Sequence, residues 1–267
     1  MTVFARLRAL PDKDKAALIR KLVENGTPDF DYFFLIGAST LMATFGLLMN
    51  NSSIVIGSML IAPLMYPILG VAMGFVMSGN HIGLFQRALQ TLIKSLMWAL
   101  GLSVLASVIS IYAMDLAYET YEVTSRTEPD LLHLLVAVIA GGAVAYMLAR
   151  PEWNDALPGV AIAVALVPPL ATVGVGIAAF DVSVVSGALM IFALNMIGII
   201  GTAIIIFLMM NLSEKQNIAE STVKKENEKV EEENKVIAEV AVKISEEKNV
   251  EAKVISDDII KDNESNS

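Results

Sequence analysis

The sequence predicts an all-α fold, a polytopic membrane helix bundle of about six spans, on three observations. From Phe33 to Asn211 apolar runs near the ~20 residues that a bilayer requires follow one another with rare charges. Two of these runs carry prolines, Pro63 and Pro67 in one and Pro168 and Pro169 in the other. In lipid such breaks are tolerated only where protein or a water-filled cavity covers the freed backbone groups. The basic residues also fall on alternate sides of the spans, as the positive-inside rule asks.

Composition divides the chain into three parts. Overall, 55% of the residues are hydrophobic, 18% are charged and the mean hydropathy is +0.62. Residues 1–32 form a basic N-terminal segment, 33–211 the transmembrane domain, and 212–267 an acidic, Lys/Glu-rich tail that supplies most of the net charge of −9. Because the tail supplies it, that charge says nothing about nucleic acid; no nucleic-acid partner is expected, and the first partner is the lipid bilayer. With no cysteine there is no disulfide, thiolate metal site or cysteine nucleophile. The first apolar run starts behind a charged segment and ends in Met49-Asn50-Asn51-Ser52, which lacks a small-x-small cleavage pattern, so no cleavable signal is expected.

The N-terminal segment reads as a short amphipathic helix opened by Pro11-Asp12 and closed by Asn25-Gly26. Leu18, Ile19, Leu22 and Val23 recur at helical spacing, and lysines and arginines are scattered through it. It is expected to lie on the cytoplasmic membrane surface. The expected spans are Phe33–Met49, Ile54–Met77, Leu96–Met114, Leu131–Ala149, Ala156–Phe180 and Val184–Met210. With the N-terminus inside, Arg87, Lys94 and Arg150 are also inside, and Arg126 alone is outside, in a loop otherwise acidic. Both termini are then cytoplasmic, and the cell (plasma) membrane is the expected location.

Pro63-Leu64 and Pro169-Leu170 also relate the two halves. Three spans precede three more, so matching halves lie in opposite orientations, an inverted 3+3 repeat with its two broken helices at the centre. The tail offers Val223, Val230, Ile237 and Ile244 seven residues apart, an imperfect coiled-coil seam, and from Ala238 to Ser256 an alternation that suits a hairpin. A charged, aromatic-free tail is most simply flexible or partly helical.

Chemistry-bearing residues are scarce. No span centre holds Asp, Glu, Lys, Arg or His, so carboxylate-based proton coupling at the midplane is not expected. No His-Glu-x-x-His or Gly-x-Ser-x-Gly occurs, and His81 and His133 fall on opposite sides. Neither an enzyme, a metal site nor a cofactor is expected. What the spans hold is neutral polarity: Gly37, Thr40 and Thr44 on one face, Ser103, Ser107 and Ser110 on another, and Asn195 inside the sixth span. Hydroxyl and glycine stripes ordinarily serve close helix packing. Asn195 is sharper, because an amide in hydrocarbon needs partners, which carbonyls freed at the prolines supply. Asn51 or Ser52 suits a helix N-cap; the functional alternative is an outer vestibule whose amides attract an anion.

The stretches Asn51–Ile68 and Leu157–Gly174, with Gly187-Ala188-Leu189 and Asn195, resemble the membrane family of domain of unknown function 389 over roughly Phe33 to Asn211. The resemblance implies a multi-span integral membrane protein without a specific activity. The reading that follows is a transporter or channel for a small solute or ion. Its candidate path residues are Asn51, Ser52, Ser58, Pro63, Pro67, Pro168, Pro169, Thr172 and Asn195. The alternative is a non-transporting membrane sensor or scaffold acting through the tail. Self-association into a homo-oligomer suits a bundle this small, without fixing the number.

Overall fold

The computed structural model describes residues 11–77, 83–149, 166–212, 218–219, 221–238 and 240. His81, Trp153, Arg150, the Leu157–Ala165 half of the second proline-bearing run and the alternation beyond Val240 lie outside the described residues. Among the described residues every regular element is a helix. The helices are α1 (Asp12–Glu24), α2 (Phe30–Leu48), α3 (Ser52–Ile61), α4 (Met65–Met77), α5 (Gly83–Val108), α6 (Tyr121–Thr124), α7 (Leu131–Leu148), α8 (Val167–Ala178) and α9 (Val182–Met209). A π-helical turn, Ile109–Ala113, prolongs α5.

Helices α2, α5 with its π turn, α7 and α9 are each long and apolar enough to cross a membrane, and α3 with α4 makes a further span bent by 51°. Helix α8 is apolar but short. A first compact unit runs from Met1 to Val223 and a second from Lys224 to Ser267.

Close contacts fix the relative sense of the helices. Tyr32 meets Ser95, Phe33 meets Trp98, Gly37 meets Leu102 and Thr44 meets Ser103, so α2 and α5 run parallel. Ser103 meets Ala171 and Tyr112 meets Ala178, so α8 runs with them. Short turns send α3 back along α2 and α9 back along α8, and α7 lies parallel to α9, with Gly141 on Ile199 and Gly142 on Thr202.

Helix α1 is amphipathic as its spacing requires. Its apolar face, Leu18, Ile19 and Leu22, is 0–2% exposed within the same core that holds Ile68, Leu69 and Met73 of α4. Helix α5 begins at Gly83 rather than near Leu96, about three turns earlier than the apolar run indicates. Those turns bury Ala88, Thr91 and Leu92, and Gly70 and Gly74 of α4 lie against Ala88 and Phe85. Packing thus extends a helix that hydropathy alone cuts short. Residues 221–238 are helical, and Val223, Val230 and Ile237 all fall on that helix.

Candidate functional site

The break in the α3–α4 span is local and proline-made. Helix α3 ends at Ile61, Ala62 turns extended (φ −69°, ψ 120°), and the chain resumes as helix at Met65. Pro63 has no N–H, so the carbonyl of Met59 lacks its intrahelical donor. The neighbouring Ser58 carbonyl takes the hydroxyl of Ser39, a side chain of α2, at 2.7 Å. After the break the carbonyls are retaken by weak bonds, Tyr66 N–H to Pro63 at 3.3 Å and Ile68 N–H to Leu64 at 3.4 Å.

Helices α2, α3, α5 and α8 share a buried set of hydroxyls. Ser39, Thr40, Thr44, Ser58, Ser103 and Thr172 are each 0–1% exposed. Their protons go to oxygen: Thr40 to Ile36, Ser58 to Val55 and Thr172 to Pro168, all backbone carbonyls at 2.6–2.9 Å. Thr44 donates to Ser103 Oγ and to the Thr40 carbonyl, both at 2.9 Å, and Ser103 donates to the carbonyl of Ala171 at 2.9 Å. The Thr44–Ser103–Ala171 relay therefore crosses three helices, α2, α5 and α8. A Cβ on Gly174 would collide with Ser103 Cβ at 2.6 Å, so the approach that makes the relay needs glycine there. One and two turns on, the hydroxyls of Ser107 and Ser110 are buried with no hydrogen-bond partner among the described residues.

Pro168 and Pro169 occupy the first positions of α8, where a missing N–H is tolerated, and both are buried. The start of α8 is thereby stripped of two of the amide donors a helix N-terminus offers an anion, and Leu170 N–H is retained by Leu166 at 3.4 Å. Pro67 lines a small cavity of about 20 Å³, room for one water, with Gly26, Tyr66 and Arg87. That cavity includes neither Pro63 nor Pro168 nor Pro169. Asn195 is 6% exposed on α9 and takes part in an interaction within the chain.

Asn51 and Ser52 sit apart from this cluster, at the far end of α2. Asn51 caps α3, accepting from Ser53 N–H at 3.1 Å and Ile54 N–H at 3.3 Å. Ser52 donates to the carboxylate of Glu122, which is buried and ion-paired with Arg126 at 2.8 Å. Glu122 N–H bonds the side chain of Asn50 at 3.1 Å, and Thr120 bonds the Leu47 carbonyl at 2.7 Å. The outer vestibule thus already holds a carboxylate of the chain itself.

Of the residues expected to line a path, then, Ser58 lies in the last turn of α3 and Pro63 just past its end, Thr172, Pro168 and Pro169 lie together at the start of α8, and Asn51 and Ser52 belong to the outer clasp. Ser39, Ser103, Ala171 and Glu122 were not nominated. Ser103 carried a signal, its stripe with Ser107 and Ser110, which packing explained equally well. The roles of Ser39 and of the Ala171 carbonyl depend on which helices meet, and no spacing rule reveals that.

The family model described as Domain of unknown function (DUF389) matches residues 59–201. The chain is also similar to an uncharacterised protein, MJ0678, of Methanocaldococcus jannaschii, 31% identical over 169 residues that cover 63% of this chain and 51% of that protein. The chain therefore spans about half the length of that curated relative. No solved structure matches. The matched segment contains the proline break, the Thr172 turn and Asn195 together, and on it the chain belongs to the DUF389 family.

Proposed function

We propose that this is a multi-pass protein of the cell membrane, with both termini cytoplasmic, that lets a small solute or ion cross beside the broken α3–α4 span. One observation carries the reading: a proline break inside an apolar span, in a bundle whose buried polar groups are hydroxyl and carbonyl oxygens. Broken backbone at membrane depth is sheltered only by protein or a water-filled path. The α3–α4 element and α8 run in opposite senses, as an inverted repeat centred on the two proline pairs requires. No reaction chemistry is assigned, since the site offers no nucleophile with a base beside it.

The chemistry of the cluster narrows the solute. Its hydroxyl protons are given to carbonyls, and the start of α8 lacks two N–H groups, so oxygen lone pairs dominate. Such a lining receives hydrogen-bond donors or a small cation and disfavours anions. The test is reconstitution of the purified chain in liposomes and a screen of monovalent cations, small neutral donors and anions for uptake. Uptake of a cation or neutral donor supports the reading, and uptake confined to anions reverses its selectivity.

A second reading, a sensor or scaffold acting through the tail, rests on Val236, Ile237 and Val240, which are 59%, 57% and 49% exposed on the tail helix. It is distinguished by finding a tail-dependent oligomer in a protein that moves nothing.

A further inference from the structure

We infer that the groove formed by Phe33, Lys94, Met97 and Trp98 is a site for one anionic phospholipid, the phosphate on Lys94 and an acyl chain along the aromatic wall. This rests on the membrane reading above and is independent of whether the protein transports anything.

The groove is an open volume of about 550 Å³ on the outer surface of the α2–α5 pair. Its walls are built rather than incidental. The indole N–H of Trp98 donates to the carbonyl of Phe33 at 3.2 Å, which locks the ring against α2 although Trp98 is 49% exposed. Above it Phe30 and Phe34 stack with centroids 6.3 Å apart, and both are largely exposed. Behind it the buried Tyr32 hydroxyl bonds Ser95 at 2.8 Å and fixes the register of the two helices.

The depth of the groove follows from that register. Ser95 lies level with the first turn of α2, where the apolar run begins, and α5 extends about three turns beyond it toward α1. Lys94 therefore stands at the boundary of the apolar layer, with Trp98 one turn deeper. Tryptophan with lysine is the pairing that headgroup level favours, the ring in the interface and the ammonium reaching the phosphate.

Charge selects the occupant. Lys94 is exposed, and no ion pair holds its ammonium among the described residues. The nearby Asp29 carboxylate is occupied in capping α2, accepting from Tyr32 N–H at 2.7 Å. An unpaired ammonium over an apolar, aromatic trough complements an anionic headgroup with its chain, whereas a second copy of this helix pair would set Lys94 near its own like charge.

Trp98 reports occupancy directly. The chain has two tryptophans, and a Trp153→Phe background leaves Trp98 as the fluorophore. The full chain in that background is reconstituted in phosphatidylcholine vesicles containing a rising fraction of either brominated phosphatidylglycerol or brominated phosphatidylcholine. Half-maximal quenching is expected at about fivefold lower mole fraction for the anionic lipid, the difference falling to about onefold in Lys94→Gln and being kept in Lys94→Arg. Equal quenching by the two lipids, or a preference untouched by Lys94→Gln, overturns the inference. So does a Trp98 that neither lipid quenches while cross-linking captures a dimer through this face.

Discussion

Asn51 and Asp181 hold the same position in two copies of one turn. Asn51 N–H bonds the Gly46 carbonyl and Asp181 N–H bonds the Gly176 carbonyl, both at 2.9 Å. Each follows a residue of positive φ, Asn50 at 53° and Phe180 at 57°, and each caps the next helix through its side chain. Gly46 packs on the backbone N of Val55 and Gly176 on that of Val185, at 2.9 Å from where a Cβ would stand. The hairpins α2–α3 and α8–α9 are thus two uses of one helix end and one cap. The turn is the Schellman ending followed directly by an N-cap.

Removing either cap leaves two amides without a side-chain acceptor. Asn51→Ala and Asp181→Ala are each expected to cost about 1 kcal/mol. Thermal unfolding in detergent measures this, with the double variant losing about the sum because the two caps lie in separate hairpins. A double variant no less stable than either single one contradicts independent caps.

Gly174 is the tightest packing point of the hydroxyl relay. Gly174→Val is expected to separate α8 from α5, break the Ser103–Ala171 bond and destabilise the chain by about 1–3 kcal/mol or more. Ser103→Ala keeps the helix contact and loses only the relay, a cost near 1 kcal/mol. Unfolding midpoints of the two variants, compared side by side, separate overpacking from a lost hydrogen bond.

The tail divides at a different place from its composition. Leu212 is 0% exposed, Ala219 is 2% exposed, and Arg87 donates to the Val223 carbonyl at 3.0 Å, all within the first compact unit. Deleting Lys224–Ser267 is expected to leave membrane extraction and monodispersity unchanged. Deleting from Leu212 removes those contacts and lowers the unfolding midpoint. Size-exclusion profiles and melting curves of the two truncations check both statements.

Much of the fold was legible because hydrocarbon enforces simple rules. Apolar length located α2, α7 and α9, proline placed the break at Ala62–Leu64, and Asn51 ahead of Ser52 marked the start of α3. The extra turns of α5 were not legible, since they are stabilised by α4 rather than by lipid. The candidate site was only half legible. Ser58 and Thr172 lie in the proline-bearing runs, whereas Ser39 and the Ala171 carbonyl act across helix pairs that sequence spacing does not reveal. Glu122 looked like one acid among several in a loop, and its burial against Ser52 comes from tertiary packing alone.

The central claim is that a solute crosses beside the broken span, and uptake into sealed liposomes tests it most directly. Wild type, Asn195→Leu and Ser103→Leu are reconstituted at equal density and assayed with the monovalent cations and neutral donors of the screen. Wild-type uptake well above protein-free vesicles, lost at least tenfold in both variants while both remain folded and inserted, is the expected result. Absence of wild-type uptake for every cation and neutral donor, or flux unchanged in both variants, contradicts it.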